Sequence, residues 1–199
     1  MTTHTKDTPS PLSYFTIGEK FFRLSNLASN NIVENDNKTV VTSDNPITPE
    51  EYEKQTTWSD LNLSIPILFN FYHGIELFLK GAINIKKNSP NTHKFTDLTN
   101  KFEEIFPEEK ELSKLIKNIT IDIDKNSELF IMSEFLIANK ITIDDWYLSL
   151  KYPSQRGQIF THMPLKYRHD VAVPFWKKIS SLSEEIISLF STFTEKHGI

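Results

Sequence analysis

Residues 66–80, Pro66-Ile-Leu-Phe-Asn-Phe-Tyr-His73-Gly74-Ile-Glu76-Leu-Phe-Leu-Lys80, decide the fold of this chain. At about 100° per residue, Ile65, Leu68, Phe71, Tyr72, Ile75, Phe78, Leu79, Ala82 and Ile83 fill a broad apolar arc, which predicts a helix built for burial. Asn70, His73, Glu76, Lys80 and Asn84 recur at steps of three and four, so a hydrogen-bonding stripe runs along the other side. Gly74 and Gly81 lie beside that stripe on nearly one azimuth. Each costs a helix interior about 1 kcal/mol relative to alanine. Close approach of another backbone, from a neighbouring helix or a second subunit, accounts for both.

Working outward, this helix is expected over residues 63–87, stopped by Asn88-Ser89-Pro90-Asn91. Phe15, Phe21, Phe22, Leu24 and Leu27 mark a first helix over 14–28, preceded by a flexible arm over 1–12. Residues 29–47, rich in Asn, Asp, Thr and Ser, read as a long loop. Thr48-Pro49-Glu50-Glu51 opens a short helix with a capping threonine, a first-turn proline and acids facing the dipole. Further helices are expected over 95–106, 107–118 and 127–138. Residues 119–123 alternate like a strand but have no convincing partner strand, so they read as a turn. Residues 141–150 are ambiguous, with Asp144-Asp145-Trp146 opening one helical turn. An ordered loop over 152–170 then leads to Pro174 and a last helix, where Phe175, Ile179, Leu182, Ile186, Leu189 and Phe193 form a packing seam about 20 residues long. The expected architecture is all-α: a single-domain helical bundle over 13–199 with irregular loops and a long C-terminal helix.

Composition narrows the chemistry. The 199 residues include no cysteine, which removes disulfide frameworks and thiolate catalysis and fits a reducing compartment. No run reaches the roughly 18 apolar residues of a membrane span, and the first residues lack a signal-peptide core, so the expected location is cytoplasmic. Net charge is −4, but it is unevenly distributed. Residues 95–145 hold twelve acids against six lysines, whereas residues 151–178 hold six Lys or Arg against Asp170 alone. The basic stretch is either the candidate anion site or a solvated face.

Pro66-Ile-Leu-Phe-x-x-Tyr-His-Gly-Ile-Glu-Leu-Phe-Leu-Lys-Gly81, followed by His93-Lys94-Phe95-Thr96-Asp97-Leu98, resembles the HEPN (higher eukaryote and prokaryote nucleotide-binding) superfamily of helical domains. Lys151-Tyr152-Pro153 with Gly157 is similar to a later segment often present in its members, and the resemblance covers residues 58–157. It implies a HEPN-like bundle, a homodimer, and RNA or a nucleotide as ligand. It further implies a metal-independent endoribonuclease or RNA-binding protein acting in prokaryotic defence or as a toxin, with a separately encoded antitoxin as a possible partner and no cofactor. Nuclease members carry Arg, four to six residues, then His at the start of the last long helix. Here Arg156-Gly-Gln-Ile-Phe-Thr-His162 has that spacing but stands before Pro164, outside the expected last helix. On that reading His162 moves a proton at the ribose and Arg156 neutralises the phosphoryl oxygens, with Lys166, Arg168 and His169 lining a dimer cleft. The plainer alternative pairs Arg156 with an acid and leaves His162 hydrogen-bonded in a loop.

His73, Glu76 and Lys80 face one way and support that site on one reading, with His73 or Glu76 completing a proton-transfer group. On the other, Glu76 forms a buried ion pair with a basic residue of the final segment while Lys80 snorkels outward. His93 reads as an aid to starting the next helix, bonded to Asp97. One His-x-x-Glu copy is too little for a carboxylate-bridged metal pair, and no phosphate-cradling glycine loop or Gly-x-Ser-x-Gly is present. The competing function is a non-catalytic helical module that binds a nucleotide or a protein.

Overall fold

A computed structural model describes residues 9–155 and 157–199. Among them the chain is an all-α bundle of eight α-helices and a minimal hairpin. The predicted central helix is α3, Asp60–Lys86, and its apolar arc is buried from Leu68 to Ile83, with Ile65 half-buried. On one side it packs against α1 (Pro11–Glu34) and α8 (Val173–His197). On the other it meets α4 (Phe95–Ile105) and α7 (Ile143–Lys151), while α2 (Pro49–Thr56), α5 (Lys110–Ile119) and α6 (Phe130–Asn139) complete the bundle.

The two glycines of α3 are explained within one chain. A Cβ on Gly74 would stand 2.8 Å from the Phe22 ring, and one on Gly81 would stand 2.9 Å from the Tyr14 Cβ, so α1 fills the place that a second subunit was an alternative for. Phe22 and Phe78 then reach Phe190 of α8, which stacks on Phe78 with centroids 3.3 Å apart. Aromatic rings form the cement between the three long helices.

Helix α1 runs past the expected end at residue 28 and takes in part of the Asn-rich stretch. Ile32 is fully buried on the core side, and the asparagines satisfy themselves along the helix: Asn30 donates to the Asn26 side chain and Asn31 to the Leu27 carbonyl. Burial of Ser29 and Ile32 outweighs the turn preference of asparagine. At its other end α1 starts at Pro11 with Ser10 as cap, inside the stretch read as an arm. The Thr48 capping box is present as expected. Pro107 precedes α5 but does not open it; the helix begins at Lys110.

The ambiguous segment 141–150 is helix α7, fixed by Trp146, which is fully buried with its ring edge-on to Tyr72 and Phe135 at 5.3 and 5.1 Å. Of the alternating residues, Ile119 ends α5, 120–122 form a turn and Ile123 opens a 3-10 turn; Tyr72 donates its hydroxyl to the Ile119 carbonyl at 2.9 Å, capping α5. After α7, the expected loop contains two paired strands of two residues each, β1 (Ser154–Gln155) and β2 (Gln158–Ile159), antiparallel, with Gly157 at φ 83° between them. Two short 3-10 turns, Met163–Leu165 and His169–Ala172, lead into α8. No helix among the described residues is long and apolar enough to cross a membrane.

Candidate functional site

The polar stripe of α3 is buried at its middle. The Glu76 side chain is 3% exposed, and its Oε1 accepts from Lys80 Nζ at 2.8 Å and from His93 Nδ1 at 2.7 Å. His73 Nδ1 stands 3.5 Å from Oε2, too far for a strong bond, and Oε2 has no other donor among the described residues. Lys80 and His73 reach Glu76 because they lie one helical turn to either side of it. His93 arrives from the segment between α3 and α4, which folds back along α3.

Lys151, the last residue of α7, brings the basic segment to this stripe. Its ammonium lies 5.7 Å from the Phe69 ring centroid and is near enough to feel both Glu76 and Lys80. Burial and the charge of Lys80 push its pKa down, against the pull of Glu76. Phe69 also stacks on His73, which meets Phe21 edge-on. The result is one carboxylate surrounded by two lysines and two imidazoles, walled by phenylalanine.

Burial pushes the Glu76 carboxyl up, but the nearness of His73, the bonds from Lys80 and His93 and the charge of Lys80 outweigh it and bring the pKa down to about 2 from an ordinary 4.5. The carboxylate is therefore a fixed negative charge at any working pH. A depressed carboxyl stabilises the fold above its unfolded value, and that stability is lost as pH falls from about 4.5 through about 2. It amounts to roughly 3 kcal/mol. Urea unfolding at pH 5 and pH 2.5 is expected to show a smaller drop for Glu76→Gln than for the natural chain; equal drops would refute this account.

Two expectations are corrected here. Lys80 does not snorkel outward: its side chain is 13% exposed and bonds Glu76, because the carboxylate it serves is on its own helix. His93 does not bond Asp97; Thr92 Oγ1 does, at 3.1 Å, and His93 turns inward to the stronger, buried charge.

The other sequence candidates go elsewhere. Arg156 lies outside the described residues. His162 donates through Nε2 to the Ser149 carbonyl at 2.9 Å and packs on Phe135, which is the loop hydrogen bond of the plainer alternative. Lys166 follows the Met163–Leu165 turn, half-buried. Arg168 pairs with Glu134 at 2.8 Å and covers Phe130. His169 bonds the Thr39 hydroxyl through Nδ1 at 2.8 Å.

Arg168 and His169 also belong to a second buried constellation. Asp60, fully buried in the first turn of α3, accepts from the backbone N–H of Tyr167 at 2.9 Å and of Arg168 at 2.8 Å, and from Asn37 Nδ2 at 2.9 Å. Asn37 donates to the His169 carbonyl as well, at 2.6 Å. This knot ties residues 37–39 and 167–169 to the start of the central helix and is architectural. A third group, Glu108, Glu109 and His197, brings possible metal-ligand atoms within 4.8 Å of one another. Glu109 already binds Lys196 at 2.6 Å and His197 at 3.2 Å, which clamps the end of α8.

In comparison with known proteins, no family model matches the chain, and neither a curated protein nor a solved structure matches it.

Proposed function

We propose that this chain is an RNA- or nucleotide-binding helical protein of the HEPN-like kind, and that it takes a phosphate at the group around Glu76. The observation that carries this reading is the gathering of cations at that group. Lys80 bonds Glu76, and the fold also brings Lys151 near enough to feel both, at the cost of a lowered pKa. A cation held partly out of water beside a second cation gains from an incoming anion. His73 and His93 supply further donors, and the Phe69 ring offers a face to a base. A role in prokaryotic defence or as a toxin, with a homodimer and an antitoxin, follows from the HEPN resemblance in this reading.

Fluorescence anisotropy with a labelled single-stranded oligoribonucleotide, titrated with salt near pH 6.5, tests it. The natural chain is expected to bind, and Lys151→Ala to weaken binding with a salt slope lower by about 0.7, the loss of one phosphate contact. Identical affinity and slope in the variant would remove the site. A second reading, metal-independent cleavage, is favoured by the pairing of two imidazoles with two lysines at one place.

A further inference from the structure

We propose that the groove along α5 binds a phosphate dianion, free or as a monoester, on Lys110, Lys114, Lys117 and the Ser113 hydroxyl. The three lysines fall at steps of four and three, so they share one side of the helix. The groove they line measures about 460 Å³ and is walled by Glu103 in the last turn of α4, by Pro107, and by Asn118 and Asp122 at and beyond the end of α5. None of these residues belongs to the group around Glu76, so the inference goes beyond the RNA-binding reading.

Ser113 is the observation that points to a ligand. It is 6% exposed and lines the groove, yet its hydroxyl has no hydrogen-bond partner among the described residues. A serine inside a helix ordinarily turns its hydroxyl to the carbonyl one turn back, as Ser25 does to Phe21 and Ser183 to Ile179. Ser29, Ser64 and Thr99 also lack partners among the described residues, but their oxygens are sealed from solvent, whereas Ser113 stands at a groove wall. The charges divide in the same sense. Lys117 binds Glu103 at 2.6 Å and Lys125 binds Asp122, so both carboxylates of the groove are already offset. Lys110 and Lys114 are exposed and have no ion-pair partner among the described residues. Two uncommitted ammonium groups match the two charges of a phosphate monoester, and the buried hydroxyl adds a directional donor that a stripe of solvated lysines lacks. A phosphodiester, with one charge, matches them less well.

Isothermal titration calorimetry of the full chain with methyl phosphate, inorganic phosphate and dimethyl phosphate, near pH 7.5 and at low salt, tests this. The two dianions are expected to bind, and the diester to bind about tenfold more weakly or not at all. Lys114→Ala and Ser113→Ala should each weaken methyl phosphate by about tenfold while keeping the melting temperature and the RNA anisotropy of the natural chain. Lys20→Ala, at an exposed lysine of α1, should change nothing. Ser113→Ala alters no charge, so general attraction to a basic surface would leave it unaffected. Tighter binding of inorganic phosphate names the free ion as the ligand, tighter binding of methyl phosphate names an esterified one, and either supports the site. Absence of binding by both dianions, equal binding of the diester, or a Ser113→Ala titration that matches the natural chain overturns the proposal and leaves the reading at Glu76 standing. RNA that fails to bind while methyl phosphate still does overturns that reading and supports this one.

Discussion

Asp60→Ala is expected to cost about 3 kcal/mol or more of folding stability at pH 7, since it leaves several buried donors without an acceptor. Three groups lose their partner at once: the N–H of Tyr167, the N–H of Arg168 and the Asn37 amide. Tyr167 and His169 hold φ values of 57° and 50°, which side-chain-bearing residues adopt only when their surroundings impose it, and the Asp60 carboxylate is part of what imposes it. Asp60→Asn should cost less, because one oxygen still accepts while the new amide opposes one donor. Burial raises the Asp60 carboxyl above its ordinary 3.8, against the bonds from Asn37, Arg168 and Tyr167. The pH-dependent part of its stability is thus greatest below 3.8 and declines as pH rises through the raised folded value, the opposite sense to Glu76, while the hydrogen bonds it accepts from Tyr167, Arg168 and Asn37 are still made at pH 7. Urea unfolding at pH 7 measures the loss, and an alanine variant within about 0.5 kcal/mol of the natural chain would contradict the role of the knot.

Trp146→Ala is expected to lose about 3–5 kcal/mol, the usual cost of emptying an aromatic site in a packed core. The indole is fully buried between Tyr72 and Phe135, and it is the anchor by which α7 grips α3. Loosening α7 also removes Lys151 from the neighbourhood of Glu76, so on the proposed RNA-binding reading affinity should fall together with stability. Trp146→Phe separates ring from polar handle. The indole Nε1 is buried without an acceptor among the described residues, so phenylalanine sheds an unsatisfied donor while giving up part of the volume. It should cost about 1 kcal/mol and leave binding intact. Denaturation midpoints and anisotropy on both variants decide the matter, and equal losses for the two substitutions would show that the indole nitrogen, not the packing, is what counts.

The fold is legible wherever apolar residues recur with helical period over many turns. The stretch around Tyr72 predicts α3 to within three residues at its start and one at its end, and the seam from Phe175 to Phe193 predicts α8. Short or polar elements are less legible, because tertiary burial decides them. Asn30 and Asn31 read as loop until Ile32 is seen to be buried, and α7 is ambiguous until Trp146 has a place to go.

The same division holds for the site. His73, Glu76 and Lys80 are visible as one stripe because helical spacing alone sets them together. His93 and Lys151 reach Glu76 only through the turn after α3 and the packing of α7, which no local pattern encodes. The Asp60 knot joins residues 23, 107 and 108 positions away, and nothing in the sequence near Asp60 marks it beyond a small polar run before a long apolar helix.

The glycine-lined contact of α1 on α3 has a bearing on synthesis. Phe22 and Phe78 both lean on Phe190, near the far end of α8, so α1 and the much later α8 share a single aromatic seat. A ribosome that has just finished α3 releases a helical pair whose phenylalanines still wait for a lid. Until α8 emerges, that greasy seam is exposed to chaperones and to neighbouring nascent chains, and the arrival of α8 is what covers it.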